Sequence, residues 1–353
     1  MKLVARARFI SLSVVLLLIP VLCYAQQNVR WESAPVNPEF ERYIEQRSLE
    51  QSNSQTSEGA PSLPQEQSAA GQQNYSLGLI PTPIDFSQMA RPVDGPADRS
   101  LDGTRLLSMP KPDSIPPAYD LRQQNRVTPV RNQGSCGSCW AFASFASLES
   151  SLMPWEQHAI GAAPDYSENN LKNTSGYSLG CCDGGSFLVA AAYLTRWSGP
   201  VLEAQDPYDA SDCVSPTGIA AQKHVQEVII LPPKESPTDV DYIKEAVMRF
   251  GGLYVSMTWD YAAYYAPNSA YYAPQPFGAL HAVTIVGWDD DYSRENFSPL
   301  YDCPGDGAFI VRNSWGTDWG DGGYFYVSFY TPRFASILAG FQAEPVNNYA
   351  QNY

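Results

Sequence analysis

Cys136 and Cys139, three residues apart in "NQGSCGSCWAF", are the side chains of this chain best placed to do chemistry. Their spacing suits three chemistries. A dithiol redox pair needs Cys-x-x-Cys at a helix start. A zinc site needs further Cys or His ligands at short spacing. A nucleophile needs one thiol at a helix start, where the dipole and free N–H groups favour the thiolate. It also needs a histidine to carry the proton and a carboxamide or carboxylate to hold that ring. The chain has three histidines, His158, His224 and His281, none with a second ligand at short spacing. Cys181 and Cys182 are adjacent, so both thiolates can hardly face one ion. No metal or other cofactor is expected, and the dithiol and nucleophile readings stay open.

The elements that must position these residues follow from periodicity. Ala141, Phe145, Leu148 and Leu152 recur at helical spacing, placing a buried helix beside Cys139. "SFLVAAAYLTRW" and "DVDYIKEAVMRF" read as two more helices, the second amphipathic. Beyond them "LYVSMTW", "HAVTIVGW", "GAFIVRN" and "GGYFYVSFY" read as strands. Helices first and strands later predict an α+β unit with the helices segregated from an antiparallel sheet. The tyrosine-rich "YAAYYAPNSAYYAPQP" between strands reads as a surface loop.

Residues 1–25 read as a secretory signal: Lys2, Arg6 and Arg8 precede an apolar run ending at Ala25. Export implies a compartment in which disulfides persist. It leaves six cysteines: Cys136, Cys139, Cys181, Cys182, Cys213 and Cys303. The 353-residue chain carries a net charge of −15 and no basic stripe, which argues against a nucleic-acid partner. Residues 26 to about 75 are rich in Gln, Ser, Glu and Pro and cannot offset their ordering entropy, although "FERYIEQRSLEQ" could form a short helix. "YSLGLIPTPIDFSQM" reads as an extended strip laid over something else. The chain reads as globular from about Ile115. The expected organisation is a signal over 1–25, a partly disordered pro-segment over 26–112, a catalytic domain over 113–341 and a tail over 342–353.

"CGSCW", Cys136 to Trp140, fits the C-G-[SA]-C-[WY] pattern of papain and the lysosomal cathepsins. His281 follows Cys139 by 142 residues, inside that pattern's window, and Asn313 in "VRNSWGTDWGDGGYF" follows by 174, beyond it. From about Ile115 to Phe341 the sequence resembles the papain-like cysteine peptidases, in style the bacterial secreted or surface-attached members. The resemblance implies a two-lobed fold, with a helical lobe carrying the nucleophile and a lobe built on an antiparallel sheet or barrel. It assigns attack on the peptide carbonyl to Cys139, proton relay to His281 and ring orientation to Asn313. Gln133 and the Cys139 backbone N–H supply the oxyanion hole, Trp315 covers the Asn–His bond, and Trp140 completes the nucleophile motif. "SENNL" and "CCDGG" resemble further family stretches, with Asp183 replacing an asparagine.

The same resemblance implies a Cys136–Cys182 bridge, and a second between Cys213 and Cys181, the latter substituting for a family cysteine absent here. Cys303 is left unassigned. Gly184 and Gly185 would hydrogen-bond the substrate backbone, where a side chain would hold the peptide away. Phe187, Met257, Ala279 and Ala282 would line an apolar pocket for the residue just N-terminal to the scissile-bond residue. His158 and His224 read as ordinary surface groups. The long helical pro-segment signature of papain is missing, so inhibition would rest on another strip such as "LGLIPTPIDF", released by cleavage between about Ser108 and Pro117. The 32-residue step from His281 to Asn313 holds an acidic loop, read as solvated rather than calcium-binding. The expected partners are protein or peptide substrates and the chain's own pro-segment, with cell-wall or surface association. A catalytically inert binding protein and a thiol transpeptidase are the competing functions.

Overall fold

The computed structural model describes residues 35–54, 75–86, 89, 112–160, 163–276 and 278–348. The expected signal, much of the polar stretch that follows and the first residues of the cleavage window lie outside the described residues. Among the described residues no helix is long and apolar enough to cross a membrane.

The central helix, α2 (Cys139–Ile160), starts at the expected residue. Its Phe145, Leu148 and Leu152 are buried against Phe187, Ala190 and Leu194 of α4 (Phe187–Thr195), as helical spacing requires. The opposite, polar face of α2 is also covered, at little cost because each group finds a partner. Ser147 Oγ donates to the Gly252 carbonyl and Ser150 Oγ to the Arg126 carbonyl, both at 2.6 Å. A short helix, α3 (Glu168–Thr174), is capped by Ser167, whose Oγ accepts from the Asn170 N–H at 2.9 Å.

Nine strands make one sheet among the described residues: β1 (Ala118–Asp120), β2 (Lys223–Leu231), β3 (Leu253–Trp259), β4 (Tyr264–Tyr265), β5 (Ala270–Tyr271), β6 (Ala279–Asp289), β7 (Ala308–Arg312), β8 (Tyr324–Ser328) and β9 (Leu338–Pro345). The order is β2-β9-β3-β6-β7-β8-β5-β4, with β1 also on β6. All pairings are antiparallel except β5–β8, which is parallel. The expected domain end at residue 341 falls inside β9, which stays paired with β2 as far as Lys223–Pro345. Helix α5 (Asp241–Phe250) belongs with the sheet and not with the other helices. Its Ile243, Val247 and Phe250 share a core with Leu253, Ile285 and Val311.

β3 separates two cores by alternation. Leu253, Val255, Met257 and Trp259 face the α5 side, whereas Tyr254 packs with Phe187 on the α2 side. The "YAAYYAPNSAYYAPQP" segment is not a surface loop. It forms β4 and β5, and Ala270, Tyr271, Tyr272 and Ala273 are buried. The Tyr271 hydroxyl finds the Thr258 carbonyl at 2.9 Å, which lets a phenol go inside.

Glu149 of α2 is a buried carboxyl that accepts from Thr128 Oγ1 and the Tyr166 N–H. Burial pushes it up to about 7, against the downward pull of Arg312, and Asp165 adds a smaller upward push. A carboxyl raised on folding contributes stability that is complete below its unfolded pKa and is lost as pH rises through about 7. Glu149→Gln should therefore shrink the fall in melting temperature of the full chain between pH 5 and pH 7.5, by a few degrees for roughly 2 kcal/mol. An unchanged fall would contradict this.

Candidate functional site

Four chain segments converge at the N-terminus of α2. Cys139 is its first residue and is fully buried. His281 lies on β6, and Asn313 is the residue immediately after β7, just past the Thr284–Arg312 pair that joins the two strands. The imidazole Nε2 is 2.9 Å from Asn313 Oδ1, and that same oxygen accepts the Ser314 backbone N–H at 2.9 Å. A backbone N–H can only donate, so the shared atom is oxygen and Nε2 carries the proton. Nδ1 is thereby the basic nitrogen. It is buried and has no hydrogen-bond partner. Trp315 stacks on the imidazole with centroids 4.9 Å apart and 21° between the planes, and both rings are buried.

Gln133 joins the same network. Ser314 Oγ donates to its Oε1 at 2.6 Å, which turns its amide N–H groups the other way, toward the Ser76 carbonyl at 2.7 Å and the Cys136 carbonyl at 2.9 Å. Ser314, which stands inside "RNSWG" beside Asn313, is a further member of this network. Its backbone N–H holds Asn313 and its hydroxyl orients Gln133.

The Ser76 carbonyl belongs to a strap, residues 75–86, that fills the site. Gly185 donates to the Gly78 carbonyl at 2.9 Å and accepts from the Ile80 N–H at 2.7 Å, a parallel bridge centred on Leu79. Tyr75 stacks on Trp315 at 4.7 Å, and Phe86 packs on Phe187 at 5.6 Å. Helix α1 (Pro38–Ser54), longer than the expected helix, backs the strap: Asn37 Nδ2 donates to the Thr82 carbonyl at 2.8 Å. Glu39 pairs with Arg333 and Arg47 with Asp183, the latter at 3.5 Å. An open cavity of about 620 Å³ remains beside the strap, lined in part by Leu79, Asp183, Ala279 and Arg333.

Burial under the strap disfavours both charged forms. The Cys139 thiol is pushed up to about 11, and the His281 imidazole is pulled down to about 4 against the opposing effect of the hydrogen bond it donates to Asn313. As it stands the pair is neutral.

Gly184 and Gly185 lie against the strap. A Cβ on Gly184 would lie 2.7 Å from the Gly78 oxygen. Gly185 has a second reason to lack a side chain, because its Cβ would fall 2.3 Å from the Trp140 ring. Phe187 and Ala282 lie together with Leu79 in one buried cluster, and Ala279 lines the cavity. Met257 does not join them. The strand's alternation turns it into the α5-side core and presents Tyr254 to Phe187 instead, with ring centroids 6.0 Å apart. His224, expected to be an ordinary surface group, stacks face to face on Trp197 at 3.7 Å.

The bridges are Cys136–Cys182 and Cys181–Cys213, with Cα separations of 4.7 and 5.5 Å. Cys139 and Cys303 are free. Cys303 is buried 3.2 Å from Ser328 Oγ. With Cys136 bridged elsewhere, Cys139 has no dithiol partner at Cys-x-x-Cys spacing. In the acidic loop Asp290 pairs with Lys244 at 2.6 Å, and Asp306 accepts the Arg294 N–H.

The sequence profile of the papain family cysteine proteases matches residues 115–336. A viral cathepsin of Choristoneura fumiferana defective polyhedrosis virus is 32% identical over 227 residues, covering 63% of this chain and 62% of the relative. The chain spans 57–62% of the length of the first curated relatives it matches. Among solved structures, the cysteine protease and lectin-like domains of Cwp84, a surface layer associated protein of Clostridium difficile, share the fold. The TM-score is 0.64 at 24% identity, over 89% of this chain and 61% of that one. Digestive procathepsin L2 proteinase from Tenebrio molitor larval midgut matches with a TM-score of 0.55 and 25% identity, over 88% of this chain and 95% of that one.

Proposed function

Because the chain belongs to the papain family of cysteine proteases, we propose that it is a secreted or surface-held cysteine endopeptidase made as a latent precursor. The observation that carries this reading is the hydrogen-bond chain from His281 through Asn313 and Ser314 to Gln133, six residues before the thiol at the head of α2. Once the strap leaves, Cys139 gives its proton to His281 Nδ1, and the resulting ion pair is favoured by the α2 dipole. The thiolate attacks the peptide carbonyl. The developing oxyanion takes hydrogen bonds from the Gln133 side chain and the Cys139 N–H. The imidazolium then protonates the leaving amine, and water drawn to the neutral ring hydrolyses the thioester. Asn313 keeps the ring in one tautomer throughout, under the Trp315 lid.

Latency follows from the strap. Its Ser76 carbonyl occupies the Gln133 donor that an oxyanion would need, and its parallel bridge takes the Gly185 backbone groups that a substrate would use. Leu79 beside Phe187, Tyr254 and Ala282 supports an apolar preference at the residue before the scissile-bond residue. Maturation would cut upstream of Ile115, which packs on the sheet-side core and is followed by Pro116, whose carbonyl accepts from Trp288 at 3.0 Å.

Incubating the processed chain with a peptide library and reading products by mass spectrometry tests the activity. Hydrolysed products cut one residue after an apolar side chain are expected from wild type and from Cys303→Ser, and none from Cys139→Ser. Ligated products alone would replace the reading with transpeptidation, and no product would sink it.

A further inference from the structure

The stretch from Asp206 to Cys213 enters the account so far only through its bridge cysteine, yet Tyr208 within it touches the catalytic loop. The Tyr208 hydroxyl lies 2.8 Å from the Gln133 carbonyl and 2.7 Å from Ser138 Oγ. A carbonyl can only accept, so the single phenolic proton goes to Gln133, and toward Ser138 the phenol oxygen is the acceptor. The order is therefore fixed: Ser138 donates to Tyr208, and Tyr208 donates to Gln133. Both loop residues are fully buried, where an unmade hydrogen bond is expensive. The other bond recorded to the Gln133 carbonyl, from the Cys136 N–H, is long at 3.4 Å.

The ring itself is anchored. It packs edge-on against Phe142 in the first turn of α2 at 4.8 Å, and Lys172 Nζ stands 5.7 Å over its face. The Tyr208 N–H donates to Glu203 Oε1 at 2.8 Å. The phenol is thus a rigid strut whose tip joins two points of the 133–139 loop. Those points carry the two oxyanion donors: Gln133 bears the side-chain amide, and the Ser138 carbonyl carbon is bonded to the Cys139 nitrogen.

We propose that Tyr208 is a positioning residue of the oxyanion hole, its hydroxyl setting the separation between the Gln133 amide and the Cys139 N–H. The proposal rests on the peptidase reading above. Without the hydroxyl the loop keeps its disulfide and its Ser314 contacts, but loses the tie that fixes one donor against the other. Small misplacements of such donors cost rate rather than binding.

Tyr208→Phe should lower kcat for a peptide substrate by about tenfold and leave KM within about twofold. A reversible peptide aldehyde gives the decisive comparison. The Cys139 sulfur adds to its carbonyl carbon, the C=O π pair moves to oxygen, and that oxygen sits in the hole. Alkylation by iodoacetamide also consumes the thiolate but places no oxyanion there. The full chain, activated by limited proteolysis between residues 90 and 112, should bind the aldehyde about tenfold more weakly when it carries Tyr208→Phe. Its alkylation rate should stay within about twofold of wild type. Ser138→Ala, which removes one of the two bonds without touching the ring, should show a smaller loss of the same kind, and the double variant should be no worse than Tyr208→Phe alone. If Tyr208→Phe fails to fold, Ser138→Ala decides. Unchanged aldehyde affinity, or affinity and alkylation falling together, would overturn the proposal. Failure of wild type to cleave peptides while the aldehyde pattern holds would instead count against the peptidase reading alone.

Discussion

His281→Ala lowers kcat/KM of the processed chain for a peptide substrate by about 10⁴-fold or more, with little change in melting temperature. The size follows from the two jobs one imidazole performs. It must ionise the thiol and later protonate the amine, and its Nδ1 is buried with no other hydrogen-bond partner to compete for that role. Asn313→Ala should cost less, about 10²-fold, because it frees the ring to turn but leaves the base in place. Combining the two should cost no more than His281→Ala alone, as expected of groups that act as a unit. A loss below tenfold in His281→Ala would mean that another base serves Cys139.

Gly78→Val releases the latent form without proteolysis. A Cβ at residue 78 would sit 2.0 Å from the Gly137 oxygen and 2.1 Å from its carbonyl carbon. Gly137 cannot give way, because it is backbone pinned by its N–H bond to the Cys182 carbonyl and lies next to the Cys136–Cys182 bridge. The strap must therefore leave its seat. Overpacking of about 3 kcal/mol corresponds to roughly 100-fold in exposure of the thiol. At pH 7 the full-length variant should be alkylated at Cys139 by iodoacetamide about 100-fold faster than the full-length wild type. In the full-length wild type burial pushes the thiol up to about 11, so its rate should climb only toward that pH. Equal rates at pH 7 would show that the strap does not guard the sulfur.

The chemistry was more legible in the sequence than the walls around it. Cys139 and Gln133 share one motif, and His281 and Asn313 stand in two others far along the chain. Helix α2 and strands β3, β6, β7 and β8 announce themselves by period. What sequence could not give is which way an element faces when both faces are covered. "LYVSMTW" is buried along its whole length, so polarity did not say that Tyr254, and not Met257, turns toward Phe187. The tyrosines of residues 261–276 looked like loop because phenols are amphipathic. They are absorbed by ring packing, Tyr271 on Trp259 at 5.0 Å and Tyr264 on Trp319 at 4.9 Å. β2 and β9 carry no clear strand signal, since "KHVQEVIIL" mixes charge into its run and "LAGFQAEP" carries glycine and proline. The contact of Gly78 with Gly137 joins residues 59 positions apart and has no local signature.

The most direct test is a titration of the Cys139 sulfur in the processed chain, following thiolate absorbance in the ultraviolet with Cys303→Ser as background. The account predicts that the thiolate persists to about pH 4–5, well below a free cysteine, and that His281→Ala returns its ionisation to near pH 8.5. A sulfur that ionises near pH 8.5 in both proteins would contradict it.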